Sequence, residues 1–251
     1  MSAALTRVNP VTRVLLAVVL SLPVIITLDW LSATVVLVAC LALAPLTGLG
    51  WRRLLPRLVP LLVVAPLAAA SMALYGQPGG RRFVDWGLVV VSEQSLWLAL
   101  AVFLRVFALG VPTIALLTTV DPTDMADGLA QVLRLPARLV LGTLAAVRML
   151  GLFVEDWRTL GHARRARGLG DDGWWRRWLT MAFTLMVFAL RRGTRLATAM
   201  EARGFGAGHR SWARPSRVGW PDAVALVVAV LIGAGALVAA WWFDTLWVVA
   251  R

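Results

Sequence analysis

Ala166-Arg167-Gly168-Leu169-Gly170 and, further along, Ala202-Arg203-Gly204-Phe205-Gly206 repeat one five-residue pattern, and each copy closes a run that suits a helix. Alanine and arginine are good helix formers, and a glycine behind them can take the left-handed conformation that ends a helix after its last turn. The pattern therefore predicts an arginine at each of two helix C-termini. There the helix dipole favours a cation, and the guanidinium can fork onto a carboxylate of another molecule. The chemistry on offer is recognition by two cationic prongs. A single copy reads more simply as an ordinary glycine-capped helix end. The repetition, with apolar Leu169 or Phe205 at the same place, points to a shared role. Arg164 and Arg165 precede the first prong, and Glu201 stands beside the second, where it would orient the motif.

No comparable set exists for reaction chemistry. Every basic residue is arginine, so a phosphate-cradling glycine-rich lysine loop is excluded. His162 and His209 lack the spacing of a metal pair, and no metal site is expected. Glu155 and Asp156 lie in a charged helical stretch with Arg158, where pairing within the helix accounts for them. The lone cysteine, Cys40, sits in an apolar run and has a packing role, with no disulfide or thiolate cluster to build. No catalytic residue and no cofactor are expected.

The elements that must hold the prongs follow from composition. The 251 residues are 60% hydrophobic and 15% charged, with mean hydropathy +0.79, where soluble chains are nearer half apolar and about a quarter charged. This is the composition of an all-α integral membrane protein. The net charge of +12 gathers between Arg134 and Arg217, which the positive-inside bias assigns to the cytoplasmic side. Met1 to Asn9 carries no cleavage pattern, so no removed signal peptide is expected.

About five spans are expected. Val14 to Leu28 and Leu31 to Leu46 form a tight hairpin with Asp29 and Trp30 at its outer turn, and Arg7 and Arg13 hold the N-terminus inside. Trp51-Arg52-Arg53 makes an inner loop before the third span, Leu54 to Tyr75, which Pro56, Pro60 and Pro66 would kink. Gly76 to Gln94 reads as an external loop with a strand-like or re-entrant piece at Phe83 to Val91. The fourth span, Ser95 to Thr119, contains Arg105. A charge at that depth must face the bundle, either as part of a pathway or as an interhelical hydrogen bond. The last span is Ala223 to Phe243, with Ala225, Ala229 and Gly233 forming a small-residue stripe suited to close packing, and Trp241, Trp242 and Trp247 an aromatic belt.

Between the fourth and last spans, Asp121-Pro122-Thr123-Asp124 starts a short helix to Leu133. Two long helices follow, from Ala137 to the first motif and from Trp174 to the second, joined by a turn at Asp171 to Gly173. The apolar stretch Leu179 to Leu190 is about 18 Å long as a helix, against a hydrocarbon core near 30 Å, and so is too short to cross. The resulting division is a membrane domain over 1–120, a cytoplasmic helical domain over 121–217 and a final span in 218–251.

The paired Ala-Arg-Gly motifs, Asn9-Pro10-Val11-Thr12-Arg13 at the start, the Thr118-Thr119-Val120-Asp121-Pro122 junction and the lone final span together resemble EcfT. This is the transmembrane, or T, component of energy-coupling factor importers for vitamins and metal ions such as cobalt or nickel, a family that includes CbiQ-like and BioN-like proteins. The likeness covers nearly the whole chain. It implies that Arg167 and Arg203 each dock on one of two ABC-type ATPase subunits, with Ala166, Gly168, Ala202 and Gly204 allowing the close fit. It further implies a multi-pass protein of the prokaryotic cell membrane whose residues 121–217 form a cytoplasmic coupling domain of two long helices crossing like an X. Their apolar face, Leu179, Phe183, Met186, Val187 and Leu190, would be offered to a small substrate-capturing membrane subunit, the S subunit. ATP hydrolysis would then lie on partner chains.

Two other readings remain open on the residues alone. Arg105 and the kinked third helix suit a self-contained small permease or membrane-embedded enzyme. A nucleic-acid module is disfavoured because the arginines sit at helix ends and not along a strip interleaved with aromatics, and no nucleic-acid partner is expected.

Overall fold

The computed structural model describes residues 8–27, 29–44, 51–76, 79–86, 89–169, 173–205 and 212–243. Arg7, Gly170, Asp171, Gly206, His209 and Trp247, all named above, lie outside the described residues. The chain divides into two compact units, Met1–Asp121 with Ser216–Arg251, and Pro122–Pro215.

The first unit contains α1 (Pro10–Ile26), α2 (Trp30–Leu43), α3 (Trp51–Tyr75), a small hairpin of β1 (Arg82–Trp86) and β2 (Val89–Ser92), α4 (Glu93–Leu117) and α8 (Trp220–Trp242). α4 packs against α1, α2 and α3, while α8 closes on α1 and α2. Leu16, Val24, Val36, Leu54, Ala108, Val111 and Ala236 make the core. Outside that core the helices expose long apolar side chains, among them Leu62, Val63 and Leu67 of α3. Such a surface is stable only against hydrocarbon, and each helix keeps its backbone hydrogen bonds internal as a bilayer requires.

Local chemistry explains where these helices start. Asn9 caps α1, with Pro10 at the first helical position, and Asp29 caps α2 by accepting from the Ser32 amide at 2.9 Å. Ser92 and Ser95 form a reciprocal capping box at α4, both fully buried. The strand-like piece expected at Phe83 to Val91 is an antiparallel hairpin, pairing Val84 with Val91, Asp85 with Val90 and Trp86 with Val89. Arg105 makes an interhelical bond, its Nη2 donating to the Ile25 carbonyl at 3.0 Å, where the last turn of α1 leaves carbonyls without a helical partner. The small-residue stripe on α8 lies against α1. At Gly233 an added Cβ would lie 3.1 Å from Pro23 Cγ, so the two backbones approach closely there.

One end of this unit is held by a buried polar cluster. The Asn9 amide donates to Asp222 Oδ1 at 2.7 Å, and the Gly219 amide donates to Asp222 Oδ2 at 2.7 Å. Asn9 Nδ2 donates to Ser216 Oγ at 2.8 Å, and Arg13 Nη1 donates to Thr119 Oγ1 at 3.0 Å. The first helix is thus tied to both places where the chain leaves and re-enters the unit.

The second unit contains α5 (Pro122–Gln131), α6 (Ala137–Ala166) and α7 (Trp174–Ala202). α5 starts at Pro122, directly after Asp121, with Asp124 in its first turn. Ala126, Ala130 and Val140, with Leu144 and Trp212 against them, form a small core between α5 and the start of α6. Beyond it the long helices are almost bare: Val140 and Gly161 are the buried residues of α6, and Met181 that of α7.

Four helices among the described residues are long and apolar enough to cross a membrane: α3, α4, α8 and α6. Three of these are expected spans; α1 and α2 are apolar but shorter, with 17 and 14 residues. α6 is the addition. The sequence reading places it with the rest of 121–217 in the cytoplasmic domain, but residues up to Val154 form an apolar stretch long enough to cross.

Candidate functional site

Both motifs end their helices in the same way. Arg167 is the C-cap of α6 and Arg203 that of α7, and the glycine behind each has φ near +72°. After α6, the Gly168 amide donates to the Arg165 carbonyl at 3.1 Å and the Leu169 amide to the Arg164 carbonyl at 3.0 Å. After α7, Gly204 donates to Glu201 at 2.9 Å and Phe205 to Met200 at 2.9 Å. This double closure, five-to-two inside six-to-one, is the Schellman motif. It satisfies carbonyls that would otherwise be orphaned and turns the chain away, leaving the arginine at the rim. Nothing lies within 4 Å of where a Cβ would sit on Gly168 or Gly204, so it is the backbone conformation, not crowding within the chain, that calls for glycine.

Ala166, Arg167, Gly168, Glu201, Ala202, Arg203 and Gly204 are all exposed. Neighbouring side chains make clear which arginine holds the first end. Arg164 turns back to α7, donating from Nη1 to Thr180 Oγ1 at 2.9 Å, and Arg165 Nη2 meets His162 Nδ1 at 3.0 Å. Arg167 is the one at the cap. Glu201 contributes its carbonyl to the second closure.

α6 and α7 meet over a limited stretch. Gly161 faces Met181, Trp157 stacks edge-on against Trp178 with centroids 5.3 Å apart, and Asp156 pairs with Arg192 at 2.9 Å. From Asp156–Arg192 to Gly161–Met181 the numbers rise on α6 and fall on α7, while Trp157–Trp178 breaks that order, so the helices cross at an angle with broadly opposed directions and their C-terminal arginines end different arms of the crossing. The Asp156 pair corrects the expectation of pairing with Arg158 within the helix: α7 brings Arg192 to a partly sheltered carboxylate, where the interaction is less screened. Thr180, Arg192 and the tryptophan pair are contacts that sequence spacing did not single out, since they depend on how two separate helices cross.

Leu179, Phe183, Met186 and Leu190 fall at helical spacing on one stripe of α7, exposed by 65%, 64%, 51% and 62%, with Val187 at its flank. Met186 also borders a shallow groove with Phe153 and Trp157 of α6. An apolar stripe this exposed exceeds what a finished surface carries. Among the described residues no group of three or more His, Cys, Asp or Glu could hold a metal.

A bundle of apolar helices, joined to a long bare helix pair that ends in two matching arginine caps, defines a helical membrane protein. The chain belongs to the CbiQ family, described as a cobalt transport protein, which it matches over residues 1–212. It is 30% identical over 177 residues to the energy-coupling factor transporter transmembrane protein EcfT of Brevibacillus brevis, covering 65% of this chain and 66% of that one. The corresponding protein of Limosilactobacillus fermentum is 27% identical over 180 residues (66% and 67%), and one from Listeria monocytogenes is 26% identical over 185 (68% and 70%). The chain thus spans about two thirds of the length of these relatives.

Proposed function

We propose that the chain is the T component of an energy-coupling factor importer: a non-catalytic membrane subunit that transmits ATP-driven motion from two ABC-type ATPase subunits to a small S subunit that captures a vitamin or a metal ion. The observation that carries this reading is the pair of identically closed helix ends, each presenting an arginine at the tip of a long, weakly packed helix. Family membership and the names of the relatives support it, and they do not favour a self-contained permease or membrane enzyme.

In this reading Arg167 and Arg203 each enter a groove on one ATPase subunit, where a carboxylate or helix C-terminal carbonyls would take the guanidinium. Ala166, Ala202, Gly168 and Gly204 keep the approach free of side chains. Leu179, Phe183, Met186, Val187 and Leu190 bind the S subunit, and residues 121–217 and the N-terminus face the cytoplasm, as the concentration of arginines supports. The test is co-expression with the ATPase and S subunits. Arg167→Glu with Arg203→Glu abolishes co-purification of the ATPases, whereas Phe183→Asp with Leu190→Asp loses the S subunit and keeps them. An unchanged yield of ATPases with the double arginine variant overturns the docking role.

A further inference from the structure

α1, α2, α4 and α8 enclose an apolar cavity of about 400 Å³, open on one side. Leu16, Leu20, Leu43, Val224 and Val228 supply its walls, with the Cys40 thiol among them. Its volume falls in the range of about 300–1,000 Å³ that ligand sites occupy. The opening is marked by Trp220, which lines the cavity and is yet 79% exposed, and by Val228, 37% exposed. The same helix shows Val227 and Leu231 outward at 57% and 65%, so the cavity opens onto the hydrocarbon-facing side of the unit.

Water gains little in so apolar a space, and a void would forfeit dispersion contacts along every wall. The medium at the mouth is acyl chain. The rim also has the features of a headgroup level: Trp220 as an interfacial aromatic and exposed Arg217 just before it in the chain. We propose that this cavity binds one acyl chain of an anionic phospholipid, whose headgroup phosphate sits at the Arg217 guanidinium. The site is independent of the ATPase-docking reading, since it needs only the membrane bundle. The lipid fills the gap between α8 and the α1, α2 and α4 walls and so braces the last span.

The test uses the full chain purified from membranes in mild detergent and examined by native mass spectrometry. One phosphatidylglycerol per chain is expected to survive, preferred over phosphatidylcholine at least fivefold on titration. Val228→Trp, which plugs the mouth from the lipid side, lowers occupancy at least tenfold. Ala229→Leu, which fills the floor, does the same by a different route, and circular dichroism checks that both keep their helicity. Arg217→Gln keeps a bound lipid but removes the preference for phosphatidylglycerol. On the unaltered chain, phosphatidylglycerol slows N-ethylmaleimide modification of Cys40 at least fivefold relative to the delipidated chain. The proposal is overturned by unchanged occupancy in both cavity variants, by equal retention of the two phospholipids, by a free fatty acid or a polypeptide found in place of the phospholipid, or by Cys40 modification insensitive to added lipid.

Discussion

At the scale of single residues, the two glycines of the paired motif separate conformation from contact. At Gly168 and Gly204 the backbone is left-handed, and no atom within 4 Å would meet a side chain. A methyl group there costs about 1–2 kcal/mol, because an L-residue resists this region whatever space surrounds it. Gly168→Ala and Gly204→Ala therefore loosen the closure without disturbing packing. The amides of Leu169 and Phe205, which reach back to Arg164 and Met200, should exchange with solvent roughly 5–30-fold faster, the factor that corresponds to that cost. Equal exchange in variant and parent would mean that the left-handed turn is not what holds the ends. Glycine behind alanine and arginine made this part of the site readable from sequence, since only a few residue types tolerate the conformation. The identity of the capping arginine was less readable. Arg164, Arg165 and Arg167 look alike in a string, and it takes Thr180 and His162 to occupy the first two.

Among the elements, the start of α8 offers the sharpest contrast between a buried and an exposed carboxylate. Asp222 is 3% exposed and accepts from the amides of Asn9 and Gly219. Removing it leaves two sheltered N–H groups without acceptors, at about 1–3 kcal/mol each. Asp124, paired with Arg214 across 3.8 Å at the surface, is worth about 0–1 kcal/mol. Asp222→Ala should lower the melting temperature in detergent by roughly 5–15 °C and Asp124→Ala by no more than about 4 °C. Similar small shifts for both would show that the cluster does not hold the end of the bundle. Hydropathy revealed the helices of this region to within a few residues, because a continuous apolar run has few other destinies. Asn9 and Asp222 could not be joined in the same way: they lie at opposite ends of the sequence, and neither a cap nor a first-turn position announces a second partner. The α6 register illustrates a different limit. The helix is apolar up to Val154 and charged beyond, so its length and hydropathy suit a span while its arginine-rich end suits the cytoplasmic side.

For the molecule as a whole, the crossing of α6 and α7 sets where the two arginines stand. Gly161 lies beside Met181, and α7 then continues to its cap at Arg203 while α6 ends soon after at Arg167 in the opposite direction. At about 1.5 Å per residue the two caps are on the order of 40 Å apart. Two prongs at that separation do not fit a single groove; the proposed docking calls for one partner subunit at each. Cysteines placed at 167 and 203 in a Cys40→Ser background, each carrying a spin label, should give a distance distribution centred at about 40 Å, and a centre below roughly 25 Å would rule out one partner per prong. The same cysteines test sidedness. α7 carries Arg176, Arg177, Arg191, Arg192 and Arg195 around its apolar stretch, and several such charges in hydrocarbon would each cost about 2.5–3.5 kcal/mol. An impermeant maleimide should therefore reach both positions from the cytoplasmic side of vesicles and neither from the other. Labelling of 167 and 203 from opposite sides would place α7 across the bilayer and separate the two prongs, leaving no single machine for them to hold.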